Sequence, residues 1–214
     1  MTRYEQLARK ALGLLFVVGP SLWLLAAIFY ATGIGRNPAG GSNSIEGVFI
    51  IYATSLFIPI YLELARRLGQ HAPVFGLICA LLGLLGMTGG AMMGVFRVLE
   101  ALLNRVGLQG NIYDALSAAG AVKELGPVAF LPLFGPLTPV LFGIGLLLTR
   151  GVPRWSAILL IVGGVSFFLA QAVELVMTAT YILATSAWWL ALAPLGWQYL
   201  TTANHAPAAV RAMA

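Results

Sequence analysis

Charged side chains are rare in this sequence, and the few that interrupt its apolar stretches are the residues equipped for chemistry. Glu46 opens the second apolar stretch, and Arg97 and Glu100 close the third, three residues apart and so one turn apart on a helix. Glu174 follows Trp155 by 19 residues, about 28 Å at a helical rise of about 1.5 Å per residue. Gln171 and Thr178 share its face at steps of three and four. A charge left against lipid costs about 2.5–3.5 kcal/mol at a helix centre and less near the ends. These residues are therefore expected to face a bundle interior and to pair, with Arg97 as the cation. They describe a polar vestibule lined by Glu46, Arg97, Glu100, Gln171 and Glu174, lidded by an outer segment at 99–126. The plainer alternative, strongest for Glu46 and Glu100, is that they end their helices at head-group level.

Three kinds of function fit such a vestibule. The favoured one is non-catalytic: a lipophilic small molecule is bound or transported between helices, its polar end in the vestibule. A structural subunit of a larger membrane complex is the second. The third is an intramembrane acid–base enzyme with Glu174 and Glu100 as catalytic acids, since carboxyls in hydrocarbon make proton donors. Integral-membrane terpene cyclases protonate alkenes or epoxides in this way, in aromatic-lined pockets. The sequence has 11% aromatics, but the Trp–Glu pairings associated with those cyclases are absent.

Composition sets the bounds. Of 214 residues, 60% are hydrophobic and 9% charged, where a soluble domain carries about a quarter charged; the mean hydropathy is +0.92. A soluble enzyme, a disordered chain and a disulfide scaffold are excluded, leaving an all-α polytopic protein of the bilayer. The single cysteine, Cys79, sits in an apolar run, whereas His71, His205, Lys10 and Lys123 all lie outside such runs. Haem, di-iron and retinal chemistry need such ligands or amines at depth, so no metal and no cofactor are expected. The formal charge of +5 is read as basic cytoplasmic loops, not as affinity for nucleic acid.

A span needs roughly 20 mostly apolar residues. Six stretches qualify, at about 11–32, 46–66, 74–98, 127–149, 155–176 and 180–201, giving a six-helix transmembrane bundle in a single domain, 1–214. The first follows Arg3, Arg9 and Lys10 like a signal peptide, but its apolar stretch is too long for one and is read as a retained anchor. A single helix over 155–193 would run roughly 60 Å, too long for a bilayer, so a break is expected near Met177–Tyr181 with Thr178 or Thr180 as cap. With the N-terminus inside, the inner face holds Arg3, Arg9, Lys10, Arg66, Arg67, Arg150, Arg154 and Arg211, against Arg36, Arg97, Arg105 and Lys123 outside. That bias places both termini in the cytoplasm. Asn43 and Glu46 are spaced like a helix cap and its partner, and Asn111–Asp114 reads as another helix start within the outer segment.

Other signals concern packing. Gly86, Gly90 and Gly94 recur every four residues, a spacing that lets helices approach closely; the seam serves within the chain or, less favoured, a homodimer or larger complex. Gly19-Pro20 and Gly135-Pro136 interrupt the first and fourth stretches. They are read as ordinary kinks rather than as paired breaks at a transporter midplane. Glu63 with Arg66 and Arg67 reads as an interfacial ion pair. Trp155, Trp197 and Tyr199 suit the inner interface, Tyr30 and Tyr181 the outer, while Trp188 and Trp189 fall deeper and either pack inside the bundle, the favoured reading, or line a cavity.

The run Pro136-Leu-Thr-Pro-Val-Leu-Phe-Gly-Ile-Gly145 followed by Thr149-Arg-Gly-Val-Pro-Arg-Trp155 resembles the fourth-to-fifth helix junction of a broad group of uncharacterised bacterial multi-pass membrane proteins. There a glycine-containing apolar helix ends in a basic turn, a proline starts the next helix and a tryptophan marks the interface. The resemblance covers about 20 residues. It implies a multi-pass topology in a bacterial inner (plasma) membrane and carries no activity.

Overall fold

Local signals start and stop each helix before any packing is considered. Residue Thr2 accepts a bond from the Glu5 backbone N–H at 3.2 Å, and Glu5 accepts one from the Thr2 N–H at 2.7 Å. This capping box starts α1 (Arg3–Thr32) well ahead of its apolar stretch. Asn43 caps α2 (Ser44–Gly69), its Oδ1 accepting from Ile45 and Glu46 N–H at 3.0 and 3.3 Å. Pro73 opens α3 (Pro73–Arg105), where its missing N–H costs nothing. Then come α4 (Leu131–Thr149), α5 (Arg154–Ala172) and α6 (Met177–Thr202), with a 3-10 turn at Glu174–Val176 between the last two. The computed structural model describes residues 2–35, 43–106 and 130–202, and among these there are six α-helices and no strand.

Each helix packs on its neighbours in sequence, and α6 packs back on α1, so the bundle is a closed ring. Small residues close two of its seams. A Cβ on Gly13 would lie 2.9 Å from the Gly196 carbonyl oxygen, which fixes the α1–α6 approach; one on Gly47 would lie 2.7 Å from the Gly94 carbonyl oxygen, which fixes α2–α3. Backbones meet this closely where packing rather than hydrophobic exclusion holds helices together. Ser156 on α5 adds an inter-helix bond, donating to the Ala191 carbonyl of α6 at 2.8 Å. Inside the ring, Trp23 meets the rings of Phe57 and Trp188 edge-on, each with centroids 5.2 Å away, an arrangement that suits ring quadrupoles.

Five of the six helices are long and apolar enough to cross a membrane. The sixth, α6, is 26 residues long but diluted by threonine, serine and tryptophan. It nevertheless supplies a full side of the ring.

Besides the early start of α1, two expected boundaries move. The break between α5 and α6 falls at Val173–Val176, earlier than Met177–Tyr181, and no threonine caps it: Thr180 instead bonds back to Val176 and Met177 carbonyls. Val173 leaves the helix with φ −131° and ψ 99°, an extended conformation that a β-branched residue adopts readily. Consequently Gln171 and Thr178 do not share one continuous helix face. The second move is in α3, which continues through Arg105 and so takes up 99–105 of the expected lid. The rest of that segment, including Asn111–Asp114, lies outside the described residues.

Candidate functional site

The helices alternate in direction, so the ends of α1, α3 and α5 meet the starts of α2, α4 and α6. At this end the ring holds a cavity of about 540 Å³, within the range of small-molecule sites. Four aromatic residues from α1, α5 and α6 form its floor: Trp23, Phe167, Tyr181 and Trp188. Phe167 stacks on Trp188 at 5.2 Å and meets Tyr181 edge-on at 5.6 Å. The α3 and α4 side is cut away by Gly86, Gly90 and Gly135, and Met93 and Met177 supply flexible apolar wall. Polar groups enter through Arg97 and Gln171.

Arg97 is held in place. Its Nη1 lies 3.0 Å from Oε2 of Glu46, whose side chain is 0% exposed against 24% for the arginine. The guanidinium also sits 5.8 Å from the Tyr30 ring centroid, a cation–π distance. Tyr30 in turn donates to the Met177 sulfur at 3.1 Å. One end of the ring is thus tied from α2 through α3 and α1 to α6.

Of the five vestibule residues expected from sequence, three come together: Glu46 pairs with Arg97, and Arg97 and Gln171 line one cavity. Glu100 is half-buried and is not among the residues lining that cavity. The Glu174 side chain lies outside the described residues. Glu46 does more than partner its cap residue: the carboxylate turns to Arg97. Tyr181 is 5% exposed and belongs to the cavity floor, not to an outer interface, because Phe167 and Tyr30 enclose it. Trp188, expected to pack, does so at 1% exposure and lines the cavity as well. Trp189 does not pack inside: it is exposed and its N–H donates to Ser21 at 2.9 Å. Trp23 and Phe167 carried no distinguishing signal, since an apolar helix offers aromatics on every face.

The glycine stripe is occupied within the chain. A Cβ on Gly86 would lie 2.5 Å from the Gly135 nitrogen of α4, on Gly90 2.7 Å from Thr54 Cγ2 of α2, and on Gly94 2.8 Å from the Gly47 oxygen. Gly135 lines the cavity, while Gly19 packs on Ile60 and Phe57 of α2.

At the opposite end, Glu63 is 8% exposed and accepts from Arg66 at 2.7 Å and Arg67 at 3.2 Å. Tyr199 of α6 donates to the same carboxylate and accepts from Arg67. Tyr199 therefore turns inward instead of marking an interface, and the ion pair is part of an α2–α6 tie. Trp155 and Trp197 are exposed. A notch of about 140 Å³ lies beside this tie, lined by Arg9, Arg67, Gln198 and Tyr199.

Among the described residues no group of three or more His, Cys, Asp or Glu is placed to hold a metal ion. No family model matches the chain, and neither a curated protein nor a solved structure matches it.

Proposed function

We propose that this is a multi-pass membrane protein that binds or moves a lipophilic small molecule in the cavity between its helices, without catalysing a reaction. One observation carries the reading: an aromatic-floored cavity of about 540 Å³ whose polar wall includes Arg97, its charge compensated by Glu46 enclosed behind it. Such a site offers an apolar molecule a large contact area and a small number of fixed polar contacts. The ring supports six spans, because α6 fills the side between α5 and α1 that would otherwise stand open. With six spans both termini share one face, and the basic residues at that end favour the cytoplasm. The resemblance over 136–155 favours a bacterial inner membrane. Of the two acids that catalysis would use, Glu100 is off the cavity wall and the Glu174 side chain lies outside the described residues.

The test is native mass spectrometry of detergent-extracted protein with lipid extraction of the same sample, run beside Ala170→Phe. Ala170 is 4% exposed and lines the cavity, so a phenyl ring there occupies ligand space. A stoichiometric lipophilic compound, lost in the variant, is the expected result. A chain that carries no ligand and arrives with other subunits overturns the proposal and returns the protein to a structural role.

A further inference from the structure

The polar atoms on the cavity wall have a consistent chemistry. Arg97 is a donor only, and so are the indoles of Trp23 and Trp188; Gln171 and Tyr181 can both donate and accept. Among the described residues no carboxylate lines the cavity, because Glu46 is enclosed behind its salt bridge with Arg97. The Trp23 N–H makes no hydrogen bond of normal geometry among the described residues, although the Tyr181 hydroxyl lies close to it. The Trp188 N–H is likewise unpartnered there, but its edge lies against Gly163 of α5, so it is Trp23 and Arg97 that present donors to a ligand. An orphaned buried donor costs about 1–3 kcal/mol, which an incoming acceptor would relieve.

Charge narrows the class further. Arg97 is compensated by Glu46, and Arg97 is the one cation lining the cavity among the described residues. An anionic head would enter without a counter-charge, at a high desolvation cost, and a cationic head would meet the guanidinium. We infer that the cavity selects an uncharged lipophilic molecule whose inserted end is a planar, ring-borne carbonyl acceptor of the ketone or quinone type. The inference rests on the binding function proposed above and names the ligand class for that same cavity. A flat head suits the floor, where Trp23 and Tyr181 meet Phe167 near the perpendicular, at 88° and 77°, and aromatic rings line the cavity for it to pack against.

The experiment compares four probes on one carbon skeleton: fluorenone, fluorene, 9-aminofluorene and fluorene-9-carboxylate. Binding to the full chain in detergent is measured by equilibrium dialysis, with partition into empty micelles subtracted. The expected result is fluorenone bound about tenfold more tightly than fluorene, as a site built around a hydrogen bond discriminates against the analogue lacking it, with both charged probes weaker still. Trp23→Phe keeps a ring but removes the N–H; it should lower fluorenone affinity about fivefold and leave fluorene within twofold. The unchanged fluorene arm also reports that the variant cavity has folded. Equal binding of fluorenone and fluorene overturns the ligand class while the cavity remains a lipophilic site. Tighter binding of the carboxylate or the amine overturns the uncharged head. Binding of none of the four overturns both the class and the proposed function.

Discussion

Nη1 of Arg97 and Oε2 of Glu46 stand 3.0 Å apart, and this contact binds α3 to the first turn of α2 beside the cavity. The carboxylate has no access to solvent, so the arginine is what makes its charge tolerable. Arg97→Met would strand that charge. Removal of one partner of a buried pair costs about 3–5 kcal/mol, and the partial exposure of Arg97 puts the expected loss near the lower bound. Glu46→Gln combined with Arg97→Met should recover most of it, because neither charge is then left alone. Thermal unfolding of the single and double variants in detergent checks this. A double variant no more stable than Arg97→Met would show that the pair is not the source of the loss.

Gly86 and Gly135 face each other across α3 and α4, yet their substitutions should behave differently. A Cβ on Gly86 would lie 2.5 Å from the Gly135 nitrogen and 2.6 Å from the Phe134 carbonyl carbon, both backbone atoms that cannot rotate away. The nearest atom to a Cβ on Gly135 is 3.7 Å off, an ordinary contact. Gly86→Ala should therefore force the helices apart at about 1–3 kcal/mol, the usual cost of overpacking, and Gly135→Ala should be neutral. Side-by-side melting curves decide the point.

The helices were legible in the sequence because five of the six are apolar runs of bilayer length, most of them bounded by turn or charged residues. Their exact ends were not. α1 begins at Arg3, capped by Thr2 in a capping box made of polar residues that an apolar count ignores, and α5 gives way at Val173, where no glycine, proline or asparagine announces it. The site was half legible for a related reason. Glu46, Arg97 and Gln171 stand out against an apolar background, and of these the Glu46–Arg97 pair was open to a reading by depth. Trp23, Phe167 and Trp188 do not stand out, since selecting them requires knowing that α6 returns to α1 and closes the ring. The Glu63 cluster was visible as an i, i+3, i+4 pattern within α2, but its partner Tyr199 lies 136 residues away, beyond the reach of any local spacing.

Ser156 offers a measure of the α5–α6 seam. Its hydroxyl is fully buried and donates to the Ala191 carbonyl at 2.8 Å, between helices rather than back along its own. Bonds of this kind between helices in a bilayer average about 0.6 kcal/mol, because the unfolded reference state also finds partners. Ser156→Ala should lower stability by about that much, whereas Ser55→Ala should be silent, since exposed Ser55 bonds to Ile51 of its own helix.

The tie at the other end divides its labour between charge and hydroxyl. Tyr199→Phe removes one donor to Glu63 and one acceptor for Arg67, but the carboxylate keeps both arginines and Arg67 keeps its ring contact, 5.0 Å from the centroid. Hydrogen bonds to charged groups are worth about 1.5–3 kcal/mol, and the retained contacts place the expected loss at or below the lower end. Glu63→Gln removes the charge on which two guanidinium groups converge and should cost more than Tyr199→Phe. It should leave ligand binding in the distant cavity unchanged once the protein is folded. Unfolding curves rank the two variants, and fluorenone binding by Glu63→Gln checks the separation. A variant that folds but no longer binds would show that the two ends of the ring are coupled, and that the arginine cluster takes part in function as well as in holding α2 to α6.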